Sequence, residues 1–227
     1  MKAERQIEKA EQLGEDGDVE EAIALLDEVL AAKLPKGTRV QALMARASIY
    51  DDVDDHERAI ADCNAALVLD PKSPDVYYLR AVIYQGAENW RAAKVDVDAA
   101  IAIEPEADYY EVRGLCSYNL GDYAAARADF AIAIRDNENI DTSFFVYRGM
   151  AAILTNEPAA AIDDFTNALE REPDNVKALG QRAKAYEACG NVKAALADLA
   201  RLRPLIPKSP MLEAHRKHLR AQLKQKK

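Results

Sequence analysis

Apolar side chains recur at helical spacing over residues 74–107, where they form two segments separated by a short polar break at Glu88 and Asn89. The same 34-residue pattern returns along nearly the whole chain. Spacings of 34, 68 and 34 residues separate four prolines, Pro71, Pro105, Pro173 and Pro207. A repeated pair of helical segments of this length predicts stacked helical hairpins.

Small residues occupy one column in each first helix and one in each second helix. The first-helix column is Ala10, Ala47, Ala81, Gly114, Gly149 and Ala183, and the second-helix column is Ala22, Ala59, Ala93, Ala126, Ala161 and Ala195. Small residues on facing helices let the two axes approach, and large apolar residues fill the space on either side. One hairpin cannot bury its apolar face, so the next hairpin must stack on it.

These columns, the Gly121-Asp122-Tyr123 turn and the closing prolines resemble the tetratricopeptide repeat (TPR) family. The resemblance covers about residues 3–209 as six repeats, at 3–36, 40–73, 74–107, 107–140, 142–175 and 176–209. It implies an all-α, right-handed superhelical solenoid of six hairpins. Residues 210–225 are expected to form a closing amphipathic helix, so that residues 1–227 make one domain.

Polar residues before the predicted helices indicate where those helices begin. Ser73 and Ser209 each precede a proline, which is the arrangement of a capping hydroxyl before proline in the first helical turn. Asp141-Thr142 and Asp174-Asn175 offer similar caps at two other repeat boundaries.

Composition favours closely packed helices, because about half of the residues are apolar, alanine is prominent and aromatic residues are few. The three cysteines, Cys63, Cys116 and Cys189, are widely spaced and indicate neither a disulfide framework nor a zinc site. The N-terminal residues lack the apolar core of a signal peptide, and no apolar run approaches the ~20 residues of a membrane span. A cytoplasmic location is therefore expected.

Charge is distributed unevenly within the overall net charge of −9. Residues 1–70 carry 8 Lys/Arg and 17 Asp/Glu, and residues 71–174 carry 9 and 19. Residues 175–227 carry 13 Lys/Arg and only 3 Asp/Glu. The sequence thus predicts an acidic N-terminal part and a basic C-terminal end.

One pair of charged columns repeats copy for copy. Arginines stand in the first helices at Arg46, Arg80, Arg113, Arg148 and Arg182, and aspartates stand in the second helices at Asp62, Asp96, Asp129, Asp164 and Asp198. Because the aspartates follow the arginines, structural ion pairs between the helices of each hairpin are predicted. An arginine ladder that binds an anionic ligand is the alternative.

The TPR resemblance implies that a ligand lies in the concave groove formed by the first helices. The predicted groove residues are Met44, Tyr78, Val82, Gln85, Glu111, Leu115, Tyr118, Val146, Met150 and Ile153. Their apolar and aromatic character favours a binding surface, and packing against neighbouring helices is the alternative. Acidic residues toward the N-terminal side favour a partner segment that carries Lys or Arg.

Several other functions are not expected. The TPR clamp for the C-terminal carboxylate of Hsp70 or Hsp90 needs a set of cations and amides over three repeats. Its columns here hold Tyr78, Val82, Val112, Ser143 and Tyr147, or, after a shift of one repeat, Glu111, Leu115, Tyr147, Lys177 and Gln181, and neither set is sufficient. His215 and His218 lie three residues apart and could share a metal, but a third ligand is not obvious, and His56 lies in an acidic turn that lacks the pattern of a calcium loop. No nucleophile or phosphate loop emerges either, so neither an enzyme nor a cofactor or metal site is predicted. DNA or RNA binding is not expected, since aromatic residues are absent after Tyr186.

The predicted function is a non-enzymatic adaptor that binds a peptide or helical segment of a partner protein in the groove. The alternative is docking through the basic end to an anionic surface or to another copy of the chain. That end carries Arg201, Arg203, Lys208, Arg216, Lys217, Arg220, Lys224, Lys226 and Lys227. A scaffold role alone, as a repeat segment of a larger enzyme, is also left open.

Overall fold

The computed structural model describes residues 2–137 and 141–225, and every regular element among them is an α-helix. The chain divides into two compact units, Met1–Leu120 and Gly121–Lys227. The helices of the first unit are α1 Lys2–Glu15, α2 Val19–Ala31, α3 Lys36–Asp52, α4 His56–Leu69, α5 Pro74–Gly86, α6 Trp90–Ile103 and α7 Ala107–Asn119. The helices of the second unit are α8 Tyr123–Asp136, α9 Thr142–Leu154, α10 Pro158–Arg171, α11 Val176–Ala188, α12 Val192–Leu205 and α13 Pro210–Gln225.

Within each unit, consecutive helices pack into hairpins and the hairpins stack. In the first unit α1 packs on α2, α3 on α4 and α5 on α6, and each hairpin contacts the next one. In the second unit α9 packs on α10 and α11 on α12, while α13 covers α12. The predicted all-α hairpin repeat is confirmed.

The predicted repeat boundaries and the single domain at 1–227 stay predictions. The two helices of the predicted repeat 107–140 fall in different units. The last residues of that repeat, 138–140, lie outside the described residues, as do Met1, Lys226 and Lys227.

Each hairpin turn contains one residue in the left-handed region of backbone space, directly before the N-cap of the second helix. These residues are Gly17, Asp54, Glu88, Gly121, Asn156 and Gly190. The residue that follows accepts a hydrogen bond from a helix N–H in four of the turns, through Asp55, Asn89, Asp122 and Asn191. Within each unit the chain therefore reverses direction in the same way at these turns.

The caps predicted between hairpins are confirmed. Ser73 Oγ accepts from Val76 N–H at 3.4 Å, and Ser209 Oγ accepts from Leu212 N–H at 3.3 Å. Asp141 and Asn175 cap α9 and α11 in the same way.

The residues of the small-residue columns lie in the interior of the two units. Every alanine of the first-helix column and every alanine of the second-helix column is fully buried. At Gly149 an added Cβ would lie 2.8 Å from Cε1 of Phe165, so this crossing admits no side chain without movement. The columns thus set how closely the helices approach.

Candidate functional site

The first helices of the first unit lie side by side, because α3 contacts both α1 and α5, and α5 contacts α7. We call their shared surface the first-helix face; it carries Met44, Tyr78, Val82, Gln85, Glu111, Leu115 and Tyr118, all of them partly exposed. Gln85 joins two of these helices, since its side-chain amide donates to the Val112 carbonyl at 3.1 Å. The predicted groove residues of this unit thus each keep part of their surface available, and their role in one binding groove stays a prediction.

Two cavities open near the N-terminal end of the first-helix face. The larger, of about 350 Å³, is lined by Glu11, Gln41, Met44, Ala45, Ser48, Asp75, Tyr78 and Leu79. The smaller, of about 240 Å³, is lined by Glu4, Ile7, Glu8, Glu11 and Gln41. Because they share Glu11 and Gln41, we treat them together as the acidic–apolar cleft. Sequence reasoning identified Met44, Tyr78 and the glutamates here but missed Gln41 and Asp75, which reach the cleft through helix packing.

Carboxylates line much of this cleft. Partial burial and the neighbouring carboxylates of Glu8 and Glu15 raise the pKa of Glu11. Burial, together with Asp108 and Glu111, raises the pKa of Tyr78. Burial is the larger cause of both shifts, and nearby carboxylates add to each of them.

In the second unit the three predicted groove residues on α9 differ from one another. Met150 and Ile153 are half-buried and keep some exposed surface. Val146 is only 2% exposed, because α9 is packed against α8, α10 and α11. Val146 therefore belongs to the core and offers no surface to a partner, which corrects the expectation for this residue.

The basic end is less available than its sequence suggests. Arg216 is buried and donates from Nη1 to Glu213 Oε1 at 2.8 Å, while its Nε finds no hydrogen-bond partner within residues 2–137 and 141–225. Arg201 donates to the Pro173 carbonyl at 2.6 Å. The exposed cations among the described residues of α13 are Lys217, Arg220 and Lys224.

Two histidines of α13 converge on one carboxylate of α11. Nε2 of His215 lies 2.6 Å from Glu187 Oε2, and Nε2 of His218 lies 3.5 Å from Glu187 Oε1. Glu187 thus holds α13 against α11. Sequence reasoning placed the histidines on one helix but did not find this contact, because the glutamate is 28 residues from His215.

The predicted arginine–aspartate pairs form in four hairpins. In Arg46, Arg80 and Arg182, Nε and Nη2 donate to the two oxygens of one carboxylate at 2.6–2.8 Å. Arg148 donates both bonds to Asp164 Oδ1 alone, at 3.0 and 2.5 Å. The fifth pair, Arg113 with Asp129, is divided between the two units. The structural interpretation of this ladder is confirmed for the four pairs.

The two core cysteines are not activated, and the described residues contain no grouped metal ligands. Burial raises the pKa of the Cys63 thiol to about 12 and that of Cys116 to about 11, so neither is a ready nucleophile. No group of three or more His, Cys, Asp or Glu side chains within residues 2–137 and 141–225 is arranged to hold a metal ion. None of the described helices is long and apolar enough to cross a membrane.

Stacked helical hairpins with an open face define a helical-repeat scaffold for protein interactions. Three tetratricopeptide repeat family models match the chain, at residues 7–74, 48–112 and 152–223. The chain belongs to the tetratricopeptide repeat family. Proteins of this family are in general non-catalytic interaction modules, and their fold class is the all-α repeat solenoid.

Two curated relatives share a short stretch with this chain. Tetratricopeptide repeat protein 8 of Mus musculus is 33% identical over 82 residues, which cover 36% of this chain and 16% of that protein. The Homo sapiens protein of the same name is 32% identical over 82 residues, covering 36% and 15%. The match thus spans a small part of the length of these relatives.

Solved structures are similar over most of the chain. YrrB, described as a TPR protein with an unusual peptide-binding site, is 25% identical with a TM-score of 0.71, over 78% of this chain and 91% of that chain. PilW, a type IV pilus biogenesis factor, is 20% identical with a TM-score of 0.76, over 94% and 98%. PilF of Pseudomonas aeruginosa is 18% identical with a TM-score of 0.75, over 98% and 100%. The likeness to PilW and PilF shows the fold alone.

Proposed function

We propose that the chain is a protein-interaction adaptor whose first unit binds a partner segment carrying a Lys or Arg next to apolar side chains. The observation that carries this proposal is the acidic–apolar cleft, in which Glu8 and Glu11 adjoin Met44 and Tyr78. The basic side chain lies among the glutamates, and the apolar side chains lie along the first-helix face toward Leu115 and Tyr118.

Three features support this assignment. Glu11 is partly buried and lies near the carboxylates of Glu8 and Glu15, which together raise its pKa, and a cation bound there would offset these carboxylates. Tyr78 is held in place by Tyr109, with the ring centroids 5.0 Å apart, so it offers a rigid aromatic contact at low entropic cost. The solved structure of YrrB gives a precedent for peptide binding within this fold.

The test is a peptide-display selection on the intact chain, followed by fluorescence anisotropy with the selected peptides. Selected sequences should be enriched in Lys or Arg beside apolar residues. Glu11→Gln should weaken their binding about fivefold to tenfold, which is the effect of losing one charge pair of ~1 kcal/mol. Ser48→Lys, at an exposed residue of the same cleft, should weaken binding further by placing an internal cation among the glutamates.

The matched control is Glu28→Gln, which removes the same charge from an exposed position on α2 outside the cleft. Binding by this variant should equal that of the unchanged protein. A selection without basic enrichment, or equal binding by all three variants, would place the partner site elsewhere.

A second candidate function is docking of α13 to an anionic surface or to another copy. Lys217, Arg220 and Lys224 recur at spacings of three and four residues, so these exposed cations share one side of the helix. Reversing Lys217 and Arg220 to glutamate should abolish such docking and leave peptide binding by the first unit unchanged. Sedimentation velocity at low and high salt measures self-association, and pelleting with phosphatidylserine vesicles measures surface binding.

A further inference from the structure

The arginines of the arginine–aspartate pairs, which we call the arginine ladder, also make a hydrogen bond to the preceding hairpin. We call this bond the third arm of the ladder. Nη1 of Arg46 donates to Asp27, Nη1 of Arg80 donates to Asn64, and Nη1 of Arg113 donates to Asp98 at 3.1 Å. In the second unit, Nη1 of Arg182 donates to Thr166 Oγ1 at 2.9 Å. The acceptor in each case stands on the second helix of the preceding hairpin, and the four acceptors include a carboxylate, a carboxamide and a hydroxyl oxygen.

Arg148 is the exception to this rule. The equivalent position before it is Ala131, whose side chain carries no oxygen. Nη1 of Arg148 donates to no residue of the described chain, and Oδ2 of Asp164 accepts no bond from any described residue, because both Arg148 bonds go to Oδ1. This pair therefore keeps one unused donor and one unused acceptor.

A cavity of about 630 Å³ lies over this pair, between α8 and α10. Its walls are Ala124, Ala128, Ala131 and Ala160, and its polar lining is Arg127, Arg148, Thr155, Glu157, Asp163 and Asp164. Arg127 is already held by Thr155 Oγ1 at 3.0 Å and by Glu157. Short alanine side chains thus leave room for a ligand group to reach the guanidinium of Arg148.

The charged side chains that line the cavity restrict which kind of ligand group can bind there. The lining contains two guanidinium groups against three carboxylates, so a further carboxylate would be repelled and a simple cation would meet two arginines. A carboxamide is neutral and offers both an oxygen acceptor and an N–H donor. Asn64 shows that a carboxamide oxygen fits this position of the ladder, opposite Arg80.

We propose that this cavity is a second binding site, which takes an Asn or Gln side chain of a partner chain. The carboxamide oxygen accepts from Nη1 of Arg148, and its NH₂ group donates to Asp164. The partner segment thereby supplies the hydrogen-bond acceptor that Ala131, which has no side-chain oxygen, does not provide. Burial raises the pKa of Asp164 despite its arginine partner, as expected for a carboxylate that lacks a further donor.

The test uses three blocked tripeptides, acetyl-Gly-X-Gly-dimethylamide with X as Asn, Asp or Leu, titrated into the ¹⁵N-labelled full chain; the dimethylamide block avoids a second primary carboxamide. The Arg148 side-chain NMR signal should shift saturably with the Asn peptide and not with the Leu peptide, which shares the same backbone. Ala131→Asn supplies the missing oxygen from within, as Asn64 does, and should weaken the response to the Asn peptide at least about tenfold through loss of a charge-assisted hydrogen bond. Ala131→Thr, which copies the hydroxyl that Thr166 offers to Arg182, should also weaken it.

The matched control is Ala102→Asn, the same change at an exposed helical position on α6, which should leave the response unchanged. Far-UV circular dichroism verifies that each variant keeps its helices. Equal shifts with the Leu peptide, tighter binding of the Asp peptide, or an undiminished response in both Ala131 variants would each overturn the proposal. Glu11→Gln should not alter this response, so failure here is distinguishable from failure of the peptide-binding cleft.

Discussion

Cys63 and Cys116 lie in the hydrophobic core of the first unit, and both are fully buried. Burial disfavours the thiolate, which raises the pKa of both thiols well above the ordinary value. Cys189 is exposed at the end of α11. The three cysteines have the same side chain, but their different burial gives their thiols different reactivity.

This difference predicts the pattern of thiol modification. At about pH 8 to 9 a thiolate-selective reagent should modify Cys189 quickly, while Cys63 and Cys116 react only as the first unit opens. Stopped-flow titration with Ellman's reagent measures the number of fast thiols. Cys189→Ala should remove the fast phase, and all three thiols should react at once in denaturant. A fast phase that survives Cys189→Ala would contradict the burial of the other two.

Arg216 stands in the ladder column of α13, 34 residues after Arg182, and pairs with Glu213 of its own helix. Its buried Nε has no hydrogen-bond partner among the described residues. A buried charge with an unused donor is costly. We expect Arg216→Met, which keeps the length of the side chain, to leave the stability of the second unit unchanged or to raise it by ~1 kcal/mol.

Urea unfolding followed by circular dichroism measures this effect, with Arg182→Met as the comparison. Because Arg182 pairs with a buried aspartate, its replacement leaves that carboxylate without its partner. The free energy of unfolding should therefore fall by about 3–5 kcal/mol. Equal losses in the two variants would show that Arg216 is as well satisfied as Arg182.

At the scale of the helical element, each hairpin turn requires one residue in the left-handed region of backbone space. Glycine meets this demand at Gly121, with φ of 85°, whereas Glu88 meets it with φ of 55°. For a residue with a Cβ this conformation costs roughly 1–2 kcal/mol. Glycine loses about 0.5–1 kcal/mol through its greater freedom in the unfolded chain.

Glu88→Gly should therefore stabilise the first unit by about 0.5–1 kcal/mol, since Glu88 is exposed and the strain outweighs the entropy loss. The free energy of unfolding from urea denaturation is the measurement. Gly121→Ala, the opposite change at the same position of another turn, should destabilise by ~1 kcal/mol. Loss of stability in Glu88→Gly would mean that its side chain contributes more than the strain costs.

At the scale of the whole chain, the two units differ in charge. Residues 1–120 carry 13 Lys/Arg and 25 Asp/Glu, and residues 121–227 carry 17 and 14. The first unit is thus strongly acidic at −12 and the second is weakly basic at +3. The excess of carboxylates on the first unit favours a basic partner, because it attracts that partner from a distance as well as at the cleft.

The affinity of the first unit for a Lys- or Arg-bearing peptide should fall with salt and with acid. The charge contribution is screened as the Debye length drops from ~10 Å at 0.1 M to ~3 Å at 1 M salt, while the apolar contacts persist. Binding a cation needs ionised Glu11, whose pKa is raised, so affinity should begin to fall at a higher pH than an ordinary glutamate would require. Anisotropy titrations between about pH 7 and 4.5 measure this, and Glu11→Gln should flatten the profile. An affinity indifferent to both salt and pH would argue for a purely apolar partner segment.

The sequence alone determined the hairpins, their small-residue columns and the paired arginines and aspartates. These features repeat with a fixed period, and each depends on contacts inside one hairpin, such as Arg80 with Asp96 sixteen residues apart. A fixed separation within a repeat is visible in a single sequence when several copies can be aligned with one another.

Only the tertiary structure decided which of those residues remain accessible and what joins one hairpin to the next. Val146 is buried although its column is partly exposed in other repeats, and Arg216 turns inward although its neighbours are solvated. The third arm of the ladder, the contact of His215 with Glu187 and the cavity beside Ala131 all arise where different hairpins or helices meet. The spacing of apolar and polar residues shows which face of each helix is apolar. Exposure and cavities depend on how successive hairpins pack, and that packing is set by the combined shapes of side chains distant in sequence.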